Sequence, residues 1–174
     1  MKFARRIALA MSMTVVASVG SVLTGTTSAY ADETWWMFSN QSNGLCMTTG
    51  PDPGNGWPAT AVFAACDATD VRQWWTIRRP IPHREELQIA NKGNGTCLAD
   101  LAGWGLAWLY ACDGTKRVQL WDYSIDYPGF YHWKSADLRN QLSTSDAAGS
   151  NTVTTRHDLP ADDWRYQWHL STWA

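Results

Sequence analysis

Four cysteines, four histidines and the adjacent acids Glu85-Glu86 and Asp162-Asp163 are the side chains in this 174-residue sequence whose types could do chemistry. Cys46, Cys66, Cys97 and Cys112 form no Cys-x-x-Cys, so a tetrahedral zinc site finds no support. His83, His132 and His169 are scattered, and each reads as a surface or packing residue. Glu85-Glu86 and Asp162-Asp163 sit in polar stretches. Neighbours on a strand face opposite ways, so neither pair makes an acid/base couple across a glycosidic bond. Gly-x-Ser-x-Gly, His-Glu-x-x-His and a phosphate-binding glycine loop are all absent. Catalysis finds little support, and neither a metal nor a cofactor is expected.

The twelve tryptophans carry the other chemical signal. An indole either anchors a core or offers a flat stacking surface. Gly56-Trp57-Pro58 and Gly103-Trp104-Gly105 each place one at a glycine-flanked tip, where water contact is costly. Trp57 and Trp104 either fold onto their own loops or serve as platforms for a sugar or anchors for a protein partner. Trp108, Trp133, Trp164 and Trp173 read as core or barrel-cap residues.

Charged residues make up 17% and aromatics 13%, which excludes a disordered polar chain. The net charge of −2 argues against a nucleic-acid surface. Lys2, Arg5 and Arg6, an apolar run from Ile7 to about Leu23, and Ala29-Tyr30-Ala31 read together as a secretory signal peptide cleaved after Ala31. Three of the 14 basic residues and none of the 16 acids lie in it, so the remaining 143 residues carry −5. The expected product is secreted, with no membrane span and with cysteines in an oxidising compartment.

Residues 32–174 repeat three times. Arg72-Gln73-Trp74-Trp75 aligns with Val118-Gln119-Leu120-Trp121 and with Arg165-Tyr166-Gln167-Trp168. The intervals between Trp75, Trp121 and Trp168 are 46 and 47 residues. Cys66-Asp67 and Cys112-Asp113 stand nine residues before their tryptophans, and His157-Asp158 stands eleven before the third. Asn43-Gly44-Leu45-Cys46 pairs with Asn94-Gly95-Thr96-Cys97, and the third copy reads Arg139-Asn140-Gln141-Leu142. Short apolar runs separated by Gly, Pro, Asn and Asp predict about four strands per copy and an all-β, closed architecture.

Two Gln-x-Trp boxes and a third in which Tyr166 replaces the Gln, in register with two Cys-Asp matches, resemble the ricin-type β-trefoil lectins, including the trefoil modules attached to secreted glycoside hydrolases. The resemblance covers residues 33–174. It implies a six-stranded barrel capped by three hairpins, with Trp75, Trp121 and Trp168 near a pseudo-threefold axis. Gln73 and Gln119 would satisfy buried backbone groups, while Tyr166 offers only a hydroxyl in the third copy. Four cysteines allow three pairings; the repeat logic selects Cys46–Cys66 and Cys97–Cys112.

The family's sugar pockets use an Asp two residues after the first cysteine, an aromatic two before the second, and an Asn before the Gln. Those positions carry Thr48, Ala64 and Arg72 in the first copy, Ala99, Tyr110 and Val118 in the second, and Thr144, Thr155 and Arg165 in the third. Tyr110 alone matches. Asp100 sits one position past the expected Asp, either substituting for it or serving as a turn carboxylate. The resemblance implies a secreted, non-catalytic carbohydrate-binding trefoil with a glycan or polysaccharide partner. The departures keep a second reading open: a protein-binding trefoil, the targeting or adaptor subunit of a secreted toxin or complex. A small secreted enzyme inhibitor also remains compatible with the sequence.

Overall fold

A computed structural model describes residues 33–174 apart from 102–104, 128, 146–149, 158–159, 161–162 and 173–174. Its twelve strands fall four to a repeat. The first copy has β1 (Trp35–Asn40), β2 (Cys46–Thr49), β3 (Ala61–Ala64) and β4 (Trp74–Arg78). The second has β5 (Gln88–Asn91), β6 (Thr96–Asp100), β7 (Ala107–Ala111) and β8 (Trp121–Tyr127). The third has β9 (Phe130–Ser135), β10 (Gln141–Thr144), β11 (Val153–Arg156) and β12 (Trp168–Ser171). The fold is a β-trefoil.

Six strands make the barrel. β1 pairs with β12 and β4, β4 with β5, and β9 with β8 and β12, all antiparallel. Leu87 and Trp121 exchange two backbone hydrogen bonds of 2.8 Å and close the ring. The hairpins β2–β3, β6–β7 and β10–β11 form the cap. Bridges Thr60–Trp108, Val62–Thr152 and Leu106–Thr154 join them in a triangle.

Trp75, Trp121 and Trp168 are wholly buried in one core with Phe38, Phe63, Ile89 and Trp133. Each indole N–H donates to a carbonyl of its own repeat's hairpin: Trp75 to Met47 (3.0 Å), Trp121 to Leu98 (3.1 Å) and Trp168 to Leu142 (2.9 Å). The residue is tryptophan because it supplies both bulk and a donor at depth, where an unpaired carbonyl would be costly.

The acceptors also fix the true alignment of the third copy. Met47, Leu98 and Leu142 are equivalent, so Gln141, not Leu142, stands where Cys46 and Cys97 stand. The turn before β10 agrees: Gly44, Gly95 and Arg139 all have positive φ (65°, 69° and 61°) and donate to Asn40, Asn91 and Ser135. The sequence match slipped by one residue because the third copy lacks both the glycine and the cysteine that mark the turn. By register, its pocket positions are Ser143 and Arg156, not Thr144 and Thr155. Asp158 of the His157-Asp158 match lies outside the described residues.

Two disulfides are present, Cys46–Cys66 and Cys97–Cys112, spanning 20 and 15 residues. In the chain-entropy account each is worth about 3 kcal/mol. Trp108 and Trp133 are buried, as expected. Trp164 is not a core residue: it is 64% exposed. It opens the 3-10 turn Trp164–Tyr166, the place held by the equally outward Val71 in the turn Val71–Gln73. Trp173 lies outside the described residues.

Trp121→Phe keeps most of the bulk and leaves the Leu98 carbonyl without its donor. It is expected to lower unfolding stability by about 2–4 kcal/mol with an unchanged denaturant slope, measured by guanidinium titration.

Candidate functional site

The residue two places before each core tryptophan holds a turn. Gln73 donates to Ala65 O (2.9 Å) and accepts from Asp67 N (2.9 Å). Gln119 does the same with Ala111 O (3.0 Å) and Asp113 N (2.8 Å), and Gln88 donates to it from β5 (3.0 Å). In the third copy Tyr166 donates its hydroxyl to Pro160 O, and the His132 ring stands edge-on to it at 4.5 Å. Tyr166 is 2% exposed, so the larger ring reaches further along the loop and fills the space.

Asp67 and Asp113 then close tight turns. Asp67 accepts from Thr69 Oγ1 (2.7 Å) and N (2.8 Å), Asp113 from Thr115 Oγ1 (2.6 Å) and N (2.9 Å). The threonine hydroxyl first and the backbone N–H second hold both carboxyls below their usual range.

The three copies differ three residues before the Gln position. In the first, Asp70 accepts from Arg72 N (3.0 Å), Nε (2.9 Å) and Nη2 (2.9 Å). In the third, Asp163 accepts from Arg165 N (3.0 Å) and Nε (2.8 Å) and also meets Nη2. Each pair lays an arginine over the position where the family pattern has Asn. In the second copy Lys116 and Val118 replace Asp and Arg, and Lys116 makes no side-chain cap to the 3-10 turn Arg117–Gln119.

What opens there is a cavity of about 440 Å³. Tyr110 forms one wall, the Cys112 half of the disulfide another, and Val118, Asp113 and Lys116 complete the rim. Register places Tyr110 opposite Cys97, so the Cys97–Cys112 bridge fixes the wall it belongs to. Gly114 braces the rim from behind: a Cβ there would fall 2.5 Å from Pro80 Cβ, so only glycine lets the loop after β4 seat on this turn. The cavity therefore offers an aromatic surface, an ionised carboxylate and an ammonium within one depression.

Asp100 does not join it. Successive residues of a strand face opposite sides, and one step past Ala99 turns the side chain inward. Asp100 is 0% exposed and accepts from Thr155 Oγ1 (2.6 Å) and Asn140 Nδ2 (3.3 Å). It is neither a pocket carboxylate nor a turn carboxylate; it ties the second repeat to the third. Trp57 is 49% exposed and leans on Trp108, ring centroids 6.0 Å apart, over a separate cleft. Trp104 lies outside the described residues. Asp113 and Lys116 were missed by the motif comparison; the signal for them is the break in the Asp-x-Arg pattern that Asp70 and Asp163 share. Among the described residues, no group of three or more His, Cys, Asp or Glu is placed to hold a metal, and no helix is long and apolar enough to cross a membrane.

No protein-family model and no curated protein sequence matches the chain. Solved structures do. The designed threefold-symmetric protein ThreeFoil matches with a TM-score of 0.65 at 12% identity, covering 80% of this chain and 99% of its own. A Polyporus squamosus lectin bound to a Neu5Aca2-6Galb1-4GlcNAc epitope matches at 0.62 and 15% identity, covering 82% and 50%. A GlcNAcα1-4Gal-releasing endo-β-galactosidase from Clostridium perfringens matches at 0.64 and 13% identity, covering 79% and 32%. The chain thus spans about half of that lectin and a third of that enzyme. At these identities the likeness is one of fold.

Asp67 and Asp113 have depressed folded values, so their contribution is complete above the ordinary 3.8 and is lost as pH falls through the lower folded value. The double variant Asp67→Asn/Asp113→Asn keeps acceptors for the threonines and removes the titration. Its melting temperature is expected to lie below the wild type's at neutral pH and to converge with it in acid below 3.8, followed by thermal melts across that range.

Proposed function

We propose that this chain is a secreted, non-catalytic, lectin-like protein that binds carbohydrate in the second-repeat cavity. The observation that carries the reading is the cavity itself: the one family position that keeps its aromatic, Tyr110, lines a depression large enough for a small saccharide. A pyranose has one face of C–H bonds that packs on an aromatic ring and a rim of hydroxyls. Asp113, ionised and with Oδ1 already oriented by Thr115, is an acceptor for two such hydroxyls. Lys116 is a donor to a third. The carboxylate comes from the turn after the second cysteine instead of from the strand after the first, which makes the site a rearranged trefoil pocket.

Two disulfides and the fold shared with a lectin and with part of an endo-β-galactosidase support an extracellular setting. The rival, a protein-binding adaptor of a secreted toxin or complex, draws on a different surface. Tyr123 and Ile125 on β8 are 51% and 52% exposed, and Tyr123 packs on Tyr131 and Trp133. Pull-down from culture medium separates the two, since that reading requires a captured protein and no glycan.

Glycan-array binding with Tyr110→Ala is the direct test. The variant is expected to keep its fold and lose at least about tenfold in affinity, roughly 1.4 kcal/mol. A folded wild type that binds no glycan removes the reading.

A further inference from the structure

A second cleft, of about 330 Å³, lies between the β2–β3 loop and β7 and shares no lining residue with the Tyr110 cavity. Its floor is Trp108, 6% exposed; its overhang is Trp57, tilted 35° to it. The loop that presents Trp57 is built to hold still. Pro51, Pro53 and Pro58 each fix a backbone angle. Asp52 Oδ1 accepts from Gly54 N (2.9 Å) and Asn55 Oδ1 from Trp57 N (3.1 Å), two side-chain-closed turns in succession. Gly56, at φ 81°, turns the chain into Trp57. Gly50 N donates to Thr60 O (2.8 Å) across the loop's base. A half-exposed indole held this rigidly costs solvation and leaves little further entropy to lose when something covers it.

The lining selects what covers it. Among the described residues none that lines the cleft is charged; the one acid of the loop, Asp52, is turned into its own backbone. The three prolines carry no N–H, so the wall they form cannot donate to the carbonyls of a peptide. What remains is two indole surfaces with an amide, Asn55, and a hydroxyl, Thr60, at the edge. That combination fits a flat, uncharged, hydroxyl-rimmed ring.

We infer that the Trp57–Trp108 cleft is a second, independent site for a neutral sugar residue, so that the protein engages polysaccharide at two places. The inference rests on the carbohydrate-binding reading above and adds a site and a ligand charge to it. Two sites on a rigid frame raise retention on a polymer well beyond either alone, without new contacts.

Native affinity electrophoresis in gels containing neutral soluble polysaccharides (a β-1,3-glucan, a galactan and a mannan) tests it, with folding checked by thermal melts. Wild type is expected to be retarded by at least one polymer. Trp57→Ala should weaken that retention about tenfold, Trp57→Phe should keep most of it, and Trp57→Ala/Tyr110→Ala should abolish it. Retardation that Tyr110→Ala removes and Trp57→Ala leaves unchanged overturns the second site and spares the first. Retention through Trp57 on polygalacturonate or on a proline-rich peptide, but on no neutral polymer, overturns the assignment of ligand. No retardation of wild type in any gel, with no binding on the glycan array, removes both sites.

Discussion

A single side-chain hydrogen bond, made three times, ties the two layers of this molecule together through the core. At the edge of each repeat the barrel strand runs into its hairpin through one paired position, Ser39–Cys46, Ala90–Cys97 and Lys134–Gln141. Inside, the indole N–H of Trp75, Trp121 or Trp168 reaches a carbonyl on the hairpin strand of the same repeat. The ring's bulk fills the barrel while its one polar atom sets the depth and rotation of the hairpin. Leucine or phenylalanine could supply the first property and not the second. The cap triangle, and both clefts that open along it, inherit their geometry from this contact.

With the scaffold held by symmetry, the copies differ where they meet solvent. The same turn ends in Asp70 with Arg72, Lys116 with Val118, and Asp163 with Arg165. Such an ion pair near the surface adds little stability, so exchanging it for Lys and Val costs the fold little and changes the lining of the turn. The hairpin tips vary in the same way: the long first loop raises Trp57 over Trp108 by prolines and side-chain turns that have no bearing on the barrel.

The fold was legible because its determinants are periodic. Gln73, Gln119 and the three tryptophans recur at the spacing of one structural unit, and the cysteines recur with them. Legibility failed where a copy replaced its markers. Arg139 adopts the conformation of Gly44 and Gly95 without being glycine, and Gln141 stands in a cysteine's place, so the third alignment slid by one. On a strand one step is the difference between outside and inside. The same parity placed Asp100 in the core when its type and neighbourhood pointed to a pocket. Trp164 shows the converse: its size suggested burial, but a 3-10 turn with only Tyr166 facing inward leaves its first residue outside. Asp113 enters the sequence only as a repeat marker beside Cys112, and Lys116 belongs to no motif, so only register and shape bring the two to one rim.

Asp100 carries a consequence for how the third lobe is held. The first two repeats are each closed by a short covalent loop; among the described residues the third has no such closure. Its hairpin is instead fastened by Thr155 and Asn140 to a carboxylate 55 and 40 residues earlier in the chain. Contacts of that sequence separation close long loops, and the entropy of doing so is offset by the packing of both repeats around them. The third lobe therefore depends on its predecessor for a hold that the first two take from a covalent bond within themselves.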